Sequence, residues 1–324
     1  MSGLKLLLTL LLLILVFRSV DISRIGRDIG AFDAGSLALL VVLYWTGQLL
    51  CSERWRIFAA SLQMNGSYLS FVQMYFAGMF FNIGLPSLIG GDVIKAFIVS
   101  RKNGKPLQTG LASVLQDRAA GLISLLIYGT AAILAHPLIW RRLPLLTLYL
   151  LAWAGTGFAL WAVLKGEKLY SRFLEPGSPT LFQKALRNLA GFHRDLGGCR
   201  LSRGALLRIA VYSLLNSALV LLIFHQVTAA AGHRAGLIAF SALFPMVTLA
   251  TMIPVTISGL GIREWVYVEA LSLVGIPRDA GLVISLATSA MLLLCNLAGI
   301  FFLPGIPVDL RRQAYGLSKN AGPS

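Results

Sequence analysis

The chain has 324 residues, 57% of them hydrophobic and only 13% charged, with a formal net charge of +15. So apolar a composition excludes an ordinary soluble domain and predicts an all-α, polytopic membrane protein. The basic residues cluster between apolar runs, as in loops held beside anionic lipid, and no nucleic-acid-binding motif is present, so no nucleic acid partner is expected. Cys51, Cys199 and Cys295 are too scattered for a CxxC pair or a disulfide framework. His136, His193, His225 and His233 lack metal-ligand spacing, and neither a metal nor a cofactor is expected.

An apolar run over 4–17 opens the chain. No small-x-small cleavage site follows it, and Arg18 and Asp21 come instead, so it reads as an uncleaved first helix. The next span, 36–57, ends in Glu53-Arg54-Trp55-Arg56, a mix of indole and cations that suits a membrane interface. Two shorter apolar stretches, 67–85 and 88–99, flank Leu85-Pro86-Ser87-Leu88-Ile89-Gly90-Gly91-Asp92 and Lys95. Pro86 removes a backbone donor, and the Gly90-Gly91 pair removes the side chains that hold a helix together, so the helix is expected to break here. Broken backbone is tolerated in hydrocarbon only where protein or a wet cavity satisfies it. A hairpin that enters and leaves on one side of the membrane is therefore predicted. A long span over 107–135 carries Gln116-Asp117-Arg118, and another covers 143–164.

The one sizeable polar segment, 165–203, places Phe182, Ala185, Leu186, Leu189, Phe192 and Leu196 at helical spacing, which predicts an amphipathic helix on the membrane surface. A span over about 205–231 follows, and then a second broken pair over 240–253 and 261–274. Between its halves lie Pro254 and Ser258-Gly259-Leu260-Gly261-Ile262-Arg263-Glu264. A last span, within 279–303, precedes a basic tail over 309–324 that is expected to be disordered. With the N-terminus cytoplasmic, the cluster from Lys165 to Arg208, the loops around Arg101 and Arg54, and the tail all fall on one side, so both termini are assigned to the cytoplasm.

Pro106-Leu107-Gln108-Thr109-Gly110-Leu111 follows the first broken stretch and Pro277-Arg278-Asp279-Ala280-Gly281-Leu282 the second, each reading Pro-x-x-x-Gly-Leu. The two units, 36–135 and 205–303, are read as repeats of span, hairpin, span within one membrane domain. The single span 143–164 between them forces opposite orientation, an architecture that recurs in transporters. Eight full crossings with proline kinks is the alternative.

The residues Leu85-Pro86, Gly90-Gly91-Asp92 and Lys95, then Gln116-Asp117-Arg118, then Pro254 and Ser258 through Glu264, resemble the lysylphosphatidylglycerol synthase transmembrane region family. The likeness covers nearly the whole chain. It implies a bilayer-embedded domain associated with moving a lipid between leaflets. Lys95 stands where the family commonly has arginine, and Gln116-Asp117 also departs mildly from its pattern. Fused members carry a soluble aminoacyl-transfer domain that this chain does not contain, so synthase activity is not expected and no catalytic residue is assigned.

A half-helix beginning at Gly91-Asp92, or at Gly261-Ile262, would offer free amides to an anion, and Gly90, Ser258 and Gly259 join the candidate binding set as positions a phosphate can approach closely. Arg118 and Arg263, with Lys95, are the candidates for gripping a phospholipid or polyprenyl-phosphate headgroup. Asp92, Asp117 and Glu264 would balance the empty site or carry a coupling proton; alternatively they neutralise the three cations as buried pairs. Asn82, Gln116 and Asn296 read as interhelical hydrogen-bond formers. Gly155 and Gly157 read as packing positions. The functional expectation is a lipid translocator, with a membrane accessory that holds a lipid carrier for a partner glycosyltransferase as the alternative. A lipid-phosphate enzyme would need a nucleophile or metal cluster that the sequence does not display.

Overall fold

A computed structural model describes residues 33–84, 90–135, 143–165, 190–233, 236–252, 261–307 and 309–310. The opening apolar run, Pro86, Pro254, Ser258, Gly259, the tail beyond 310 and most of the amphipathic stretch over 182–196 lie outside the described residues. Within them all regular structure is helical.

Among the described residues the main α-helices run in the order α1 Ala34–Ser61, α2 Tyr68–Gly84, α3 Gly90–Lys102, α4 Leu107–Ala135, α5 Leu143–Lys165, α6 Arg203–Ala230, α7 Leu237–Met252, α8 Ile262–Ser272 and α9 Arg278–Leu297. A 3₁₀ segment, Ala298–Gly305, continues α9. Four described stretches are long and apolar enough to cross a membrane: α1, α4, α6 and α9 with its 3₁₀ extension. They turn large apolar side chains outward, among them Leu39 and Val42 on α1, Leu207 and Leu215 on α6, and Leu294 and Phe301 on α9 and its extension. Contiguous exposed apolar surface of that kind fits contact with lipid.

α1 begins at an N-cap, Asp33, whose Oδ1 accepts from the Ser36 amide at 2.7 Å. It then runs past the expected end at residue 57 to Ser61. The Glu53-Arg54-Trp55-Arg56 stretch is not an interfacial terminus. Arg54 and Trp55 are 3% and 0% exposed inside the bundle, and the Trp55 indole donates to Ser113 Oγ at 3.0 Å. A run of charges at the end of an apolar segment satisfies hydropathy as an interface. Here Arg54 has a carboxylate partner on α4, and that partner makes burial tolerable.

α2 and α3 pack side by side. Asn82 Oδ1 accepts from the Gly91 amide at 2.7 Å, Lys102 Nζ reaches Ser70 Oγ at 3.1 Å, and the Asn65 amide donates to Asn103 Oδ1 at 2.9 Å. The partners converge as the chain advances, so the two helices are antiparallel. At 1.5 Å per residue α2 and α3 are about 25 Å and 20 Å long, each short of the roughly 30 Å of a bilayer's hydrocarbon core.

The helices fall into two sets of matching order. α1, α2, α3 and α4 have 28, 17, 13 and 29 residues. α6, α7 and α8 have 28, 16 and 11, and α9 with its extension has 28. Exchanging one set for the other maps the packed pairs onto one another: α3 on α4 becomes α8 on α9, α4 on α7 becomes α9 on α2, and the central pair, α1 on α6, maps onto itself. That central pair is antiparallel, since Arg54 meets Ser213 while Ile57 and Phe58 pack on Ala205 and Ile209.

The Pro-x-x-x-Gly-Leu match acquires a physical reason from this packing. A Cβ at Gly110 would collide with the Ala96 carbonyl oxygen of α3, and one at Gly281 would sit 3.1 Å from Val268 Cα of α8. Each glycine is the point where the short helix crosses the long one, and only a missing side chain lets the backbones approach so closely.

Candidate functional site

α3 opens with Gly90 and Gly91 and places Asp92 in its first turn, where the helix dipole favours a carboxylate. Lys95 lies one turn on, the spacing that brings two side chains together on one face, and its Nζ is 2.8 Å from Asp92 Oδ1. The antiparallel α2 lays Tyr75 against the same lysine, with Nζ 4.0 Å from the ring centroid, and the Trp55 ring lies at 5.6 Å. Such rings stabilise a cation held away from water.

Arg118 comes to this carboxylate from α4. Its Nε lies 2.8 Å from Asp92 Oδ2 and its Nη2 3.0 Å from Oδ1, a two-pronged grip that fixes the guanidinium plane. One carboxylate thus serves two cations. Their burial differs sharply: the Lys95 and Asp92 side chains are 4% and 11% exposed, while that of Arg118 is 46% exposed. Among the described residues nothing accepts from Arg118 Nη1.

Asp117, the preceding residue, points elsewhere, because neighbours on a helix are turned about 100° apart. Its Oδ1 lies 2.6 Å from Arg54 Nε, and Arg54 Nη1 donates to Ser213 Oγ at 3.1 Å. Both charged side chains are almost wholly buried, at 4% and 2% exposed. This pair ties α1, α4 and α6 together. Among these five side chains, Arg54, Lys95 and Arg118 set against Asp92 and Asp117 leave one net positive charge, and its accessible end is the Arg118 guanidinium.

The second broken stretch builds a smaller, self-contained group. Gly261 adopts φ +85°, a conformation open to glycine, and caps α8. Its amide donates to Glu264 Oε2 at 2.6 Å, while Arg263 Nε and Nη2 lie 3.1 and 3.0 Å from Glu264 Oε1. Glu264 is 1% exposed and Arg263 19%, so this pair is neutral and largely enclosed. Glu264 stands four residues before the crossing residue Val268, as Asp92 stands four before Ala96. The two acids therefore occupy equivalent places in the two sets.

The structure brings Gly90, Gly91, Asp92, Lys95 and Arg118 together. It sends Asp117 to Arg54, and keeps Gly261, Arg263 and Glu264 as a separate group on α8. Arg54 went unrecognised in the sequence, because Asp117 could be matched with one of Lys95, Arg118 and Arg263; the signal available was a second cation, Arg54, at the end of an apolar span. The amides expected to be free for an anion are partly engaged, Gly91 by Asn82 and Gly261 by Glu264. The three amide side chains do bond across elements: Asn82 to α3, Gln116 Nε2 to the Leu196 carbonyl at 3.2 Å, and Asn296 Oδ1 to the Tyr44 hydroxyl at 2.9 Å. Among the described residues no group of three His, Cys, Asp or Glu side chains is placed to hold a metal.

Comparison with known proteins places the whole arrangement in a family. The chain is 23% identical to a UPF0104 membrane protein of Methanothermobacter thermautotrophicus, over 75% of each chain. No solved structure matches. The profile of the lysylphosphatidylglycerol synthase TM region matches residues 3–299, nearly the full length of the helical bundle and both broken stretches. This membrane-spanning chain belongs to the lysylphosphatidylglycerol synthase TM region family.

Proposed function

We propose that this protein moves an anionic, phosphate-bearing lipid between the leaflets of a cell membrane, without catalysing a reaction on it. The observation that carries the reading is the half-exposed Arg118 guanidinium on a helix long enough to span. Arg118 is the twelfth residue of the 29-residue α4. If α4 is centred in the bilayer, the residue lies about 10 Å inside the hydrocarbon boundary. A guanidinium exposed to lipid tails at that depth is strongly unfavourable, so its open side faces a polar furrow. A headgroup phosphate in that furrow would take the free Nη1 while its tails stay in lipid. Lys95, enclosed beneath Tyr75, holds Asp92 in place when Arg118 turns to the ligand.

The matched helix sets and the antiparallel α1–α6 pair support an inverted repeat, in which the α2–α3 hairpin enters from the cytoplasm and the α7–α8 pair from outside. Arg263 and Glu264 then lie at the equivalent place on the opposite half. With the basic loops cytoplasmic, both termini are inside.

The test is exchange of fluorescent lipids between leaflets of proteoliposomes, comparing wild type with Arg118→Gln and Arg263→Ala at matched reconstitution. Exchange in wild type that disappears in Arg118→Gln is the expected result. Equal rates in wild type and Arg118→Gln would refute the role given to this site. Lipid binding without exchange would instead favour an accessory that presents a lipid carrier to a glycosyltransferase.

A further inference from the structure

We infer that the 3₁₀ segment Ala298–Gly305 is a strut of two lengths, which converts to α-helix, shortens by about 4 Å and shifts α2 relative to α1. The inference rests on the transport reading for what the movement serves and on packing for the movement itself.

A 3₁₀ helix has poorer hydrogen-bond geometry than an α-helix, and runs beyond three or four residues are uncommon. This one has eight, so contacts outside its own backbone hold it. Three residues make a turn, and Gly299, Phe302 and Gly305 therefore fall on one line. α2 receives all three. A Cβ at Gly299 would strike the Phe76 carbonyl oxygen, the Phe302 ring stacks on Phe76 with centroids 4.6 Å apart, and a Cβ at Gly305 would strike the Gln73 side chain.

The same residues also carry an α register. Cys295, Gly299, Phe302 and Ile306 stand at i, i+4, i+7 and i+11, one face of an α-helix that continues α9. Cys295 and Ile306 are both buried. Gly299 and Phe302 belong to both lines, so the segment can change register and keep two of its seats on α2, and only Gly305 leaves Gln73. Pro304 weighs against the α form, because its ring meets the carbonyl four residues back, at Ile300, and it has no amide to donate. Backbone hydrogen bonding thus favours the α form, while Pro304 and the Gly305 seat favour the 3₁₀ form. That opposition is what a two-state element needs.

The strut is tied on both sides. Just before the change of helix type, Asn296 Oδ1 accepts from the Tyr44 hydroxyl of α1 at 2.9 Å. Tyr44 packs against both large cores, one centred on α2 and α3 and the other on α6 to α9. Further along, the segment grips α2 through Phe76, whose neighbour Tyr75 covers Lys95. Phe302 lies half-way along the strut, so conversion to α-helix draws α2 by about 2 Å toward Asn296. Tyr75 moves with it. The strut therefore connects the second half of the molecule to the Asp92–Lys95–Arg118 group.

Double electron–electron resonance on the full chain in lipid nanodiscs tests this, with spin labels in a cysteine-free background. Labels at Leu294→Cys and Asp309→Cys, both exposed, bracket the strut. Labels at Leu294→Cys and Leu69→Cys, also exposed, follow α2. Wild type is expected to show the longer distance as its main population. Pro304→Ala restores an amide and removes the clash with Ile300. It should move the population to a distance about 4 Å shorter for the first pair and about 2 Å shorter for the second. Gly305→Val fills the seat on Gln73 and should act in the same direction; it decides the matter if Pro304→Ala does not fold.

A single distance for the first pair, unchanged in both variants, would overturn the inference. So would a strut that shortens while Leu69 stays in place. Both readouts are distances within the protein, so they stand apart from leaflet exchange. A change of length in a protein that exchanges no lipid would sink the transport reading and leave the strut intact. Exchange by a protein whose strut keeps one length would do the reverse.

Discussion

Replacing Asp117 with asparagine would leave Arg54 charged and enclosed, with its Ser213 contact and little else. The pair is 4% and 2% exposed and its N–O separation is 2.6 Å, so solvent does not screen it and no discount for exposure applies. Breaking a buried ion pair by removing one partner costs about 3–5 kcal/mol. The asparagine oxygen can still accept from Nε, which returns about 1 kcal/mol. The expected loss is therefore about 3 kcal/mol. Removing both charges as Arg54→Met with Asp117→Leu should cost far less, since no charge is then stranded, and the mutant cycle should show a coupling of at least about 2 kcal/mol. The assay is SDS-driven unfolding in mixed micelles, with single and double variants measured side by side. A single variant within about 0.5 kcal/mol of wild type, the range of an ordinary surface change, would refute the reasoning. A double variant no more stable than Asp117→Asn would refute it as well. The same double variant, folded and reconstituted, is expected to keep lipid exchange, because Asp117 is a tie between helices and not a headgroup contact.

Arg118→Gln should remove exchange while shifting the unfolding midpoint by no more than about 1 kcal/mol, since its guanidinium is half-exposed and Lys95 remains to neutralise Asp92. A large loss of stability would assign Arg118 a structural role instead. Gly110→Val drives a side chain into the Ala96 carbonyl and should cost about 1–3 kcal/mol or prevent folding. Gly155→Ala on α5 meets open space and should be neutral or stabilising by up to about 1 kcal/mol; similar unfolding midpoints for the two would contradict the crossing geometry. Tyr44→Phe should lose the bond to Asn296 that joins α1 to α9, at about 0.6–1.7 kcal/mol, and Asn296→Ala in the same background should add little. In a cysteine-free background, Ser67→Cys and Arg101→Cys flank the α2–α3 hairpin and should react with an impermeant maleimide from the same face. Labelling from opposite faces would show that α2 and α3 cross as two separate spans.

Much of the fold was legible from periodicity and composition, because both report local costs. An apolar run long enough to span must be helical, since nothing else satisfies its backbone in hydrocarbon. That logic located α1, α4 and α6 to within a few residues, and the Gly90-Gly91 pair marked where α3 begins. The two Pro-x-x-x-Gly-Leu segments announced a recurrence, and their glycines proved to be helix crossings. The same local accounting failed at Arg54. Its neighbours Glu53, Trp55 and Arg56 resemble an interface, and hydropathy counts the cost of a charge without seeing a partner 63 residues away.

The amino-acid sequence by itself determined that charges at Asp92, Lys95, Asp117, Arg118, Arg263 and Glu264 must be compensated, because unpaired charge in a bilayer is too costly to leave. Which cation meets which carboxylate was decided by packing. Asp117 and Arg118 are adjacent in the chain but face different helices, so α3 on one side and α1 with α6 on the other chose their partners. Exposure was decided there too. Arg118 and Lys95 share one carboxylate and are equally charged, yet one lies open and the other beneath Tyr75, a difference set by where α2 crosses α3 and by nothing in either residue's own neighbourhood along the chain.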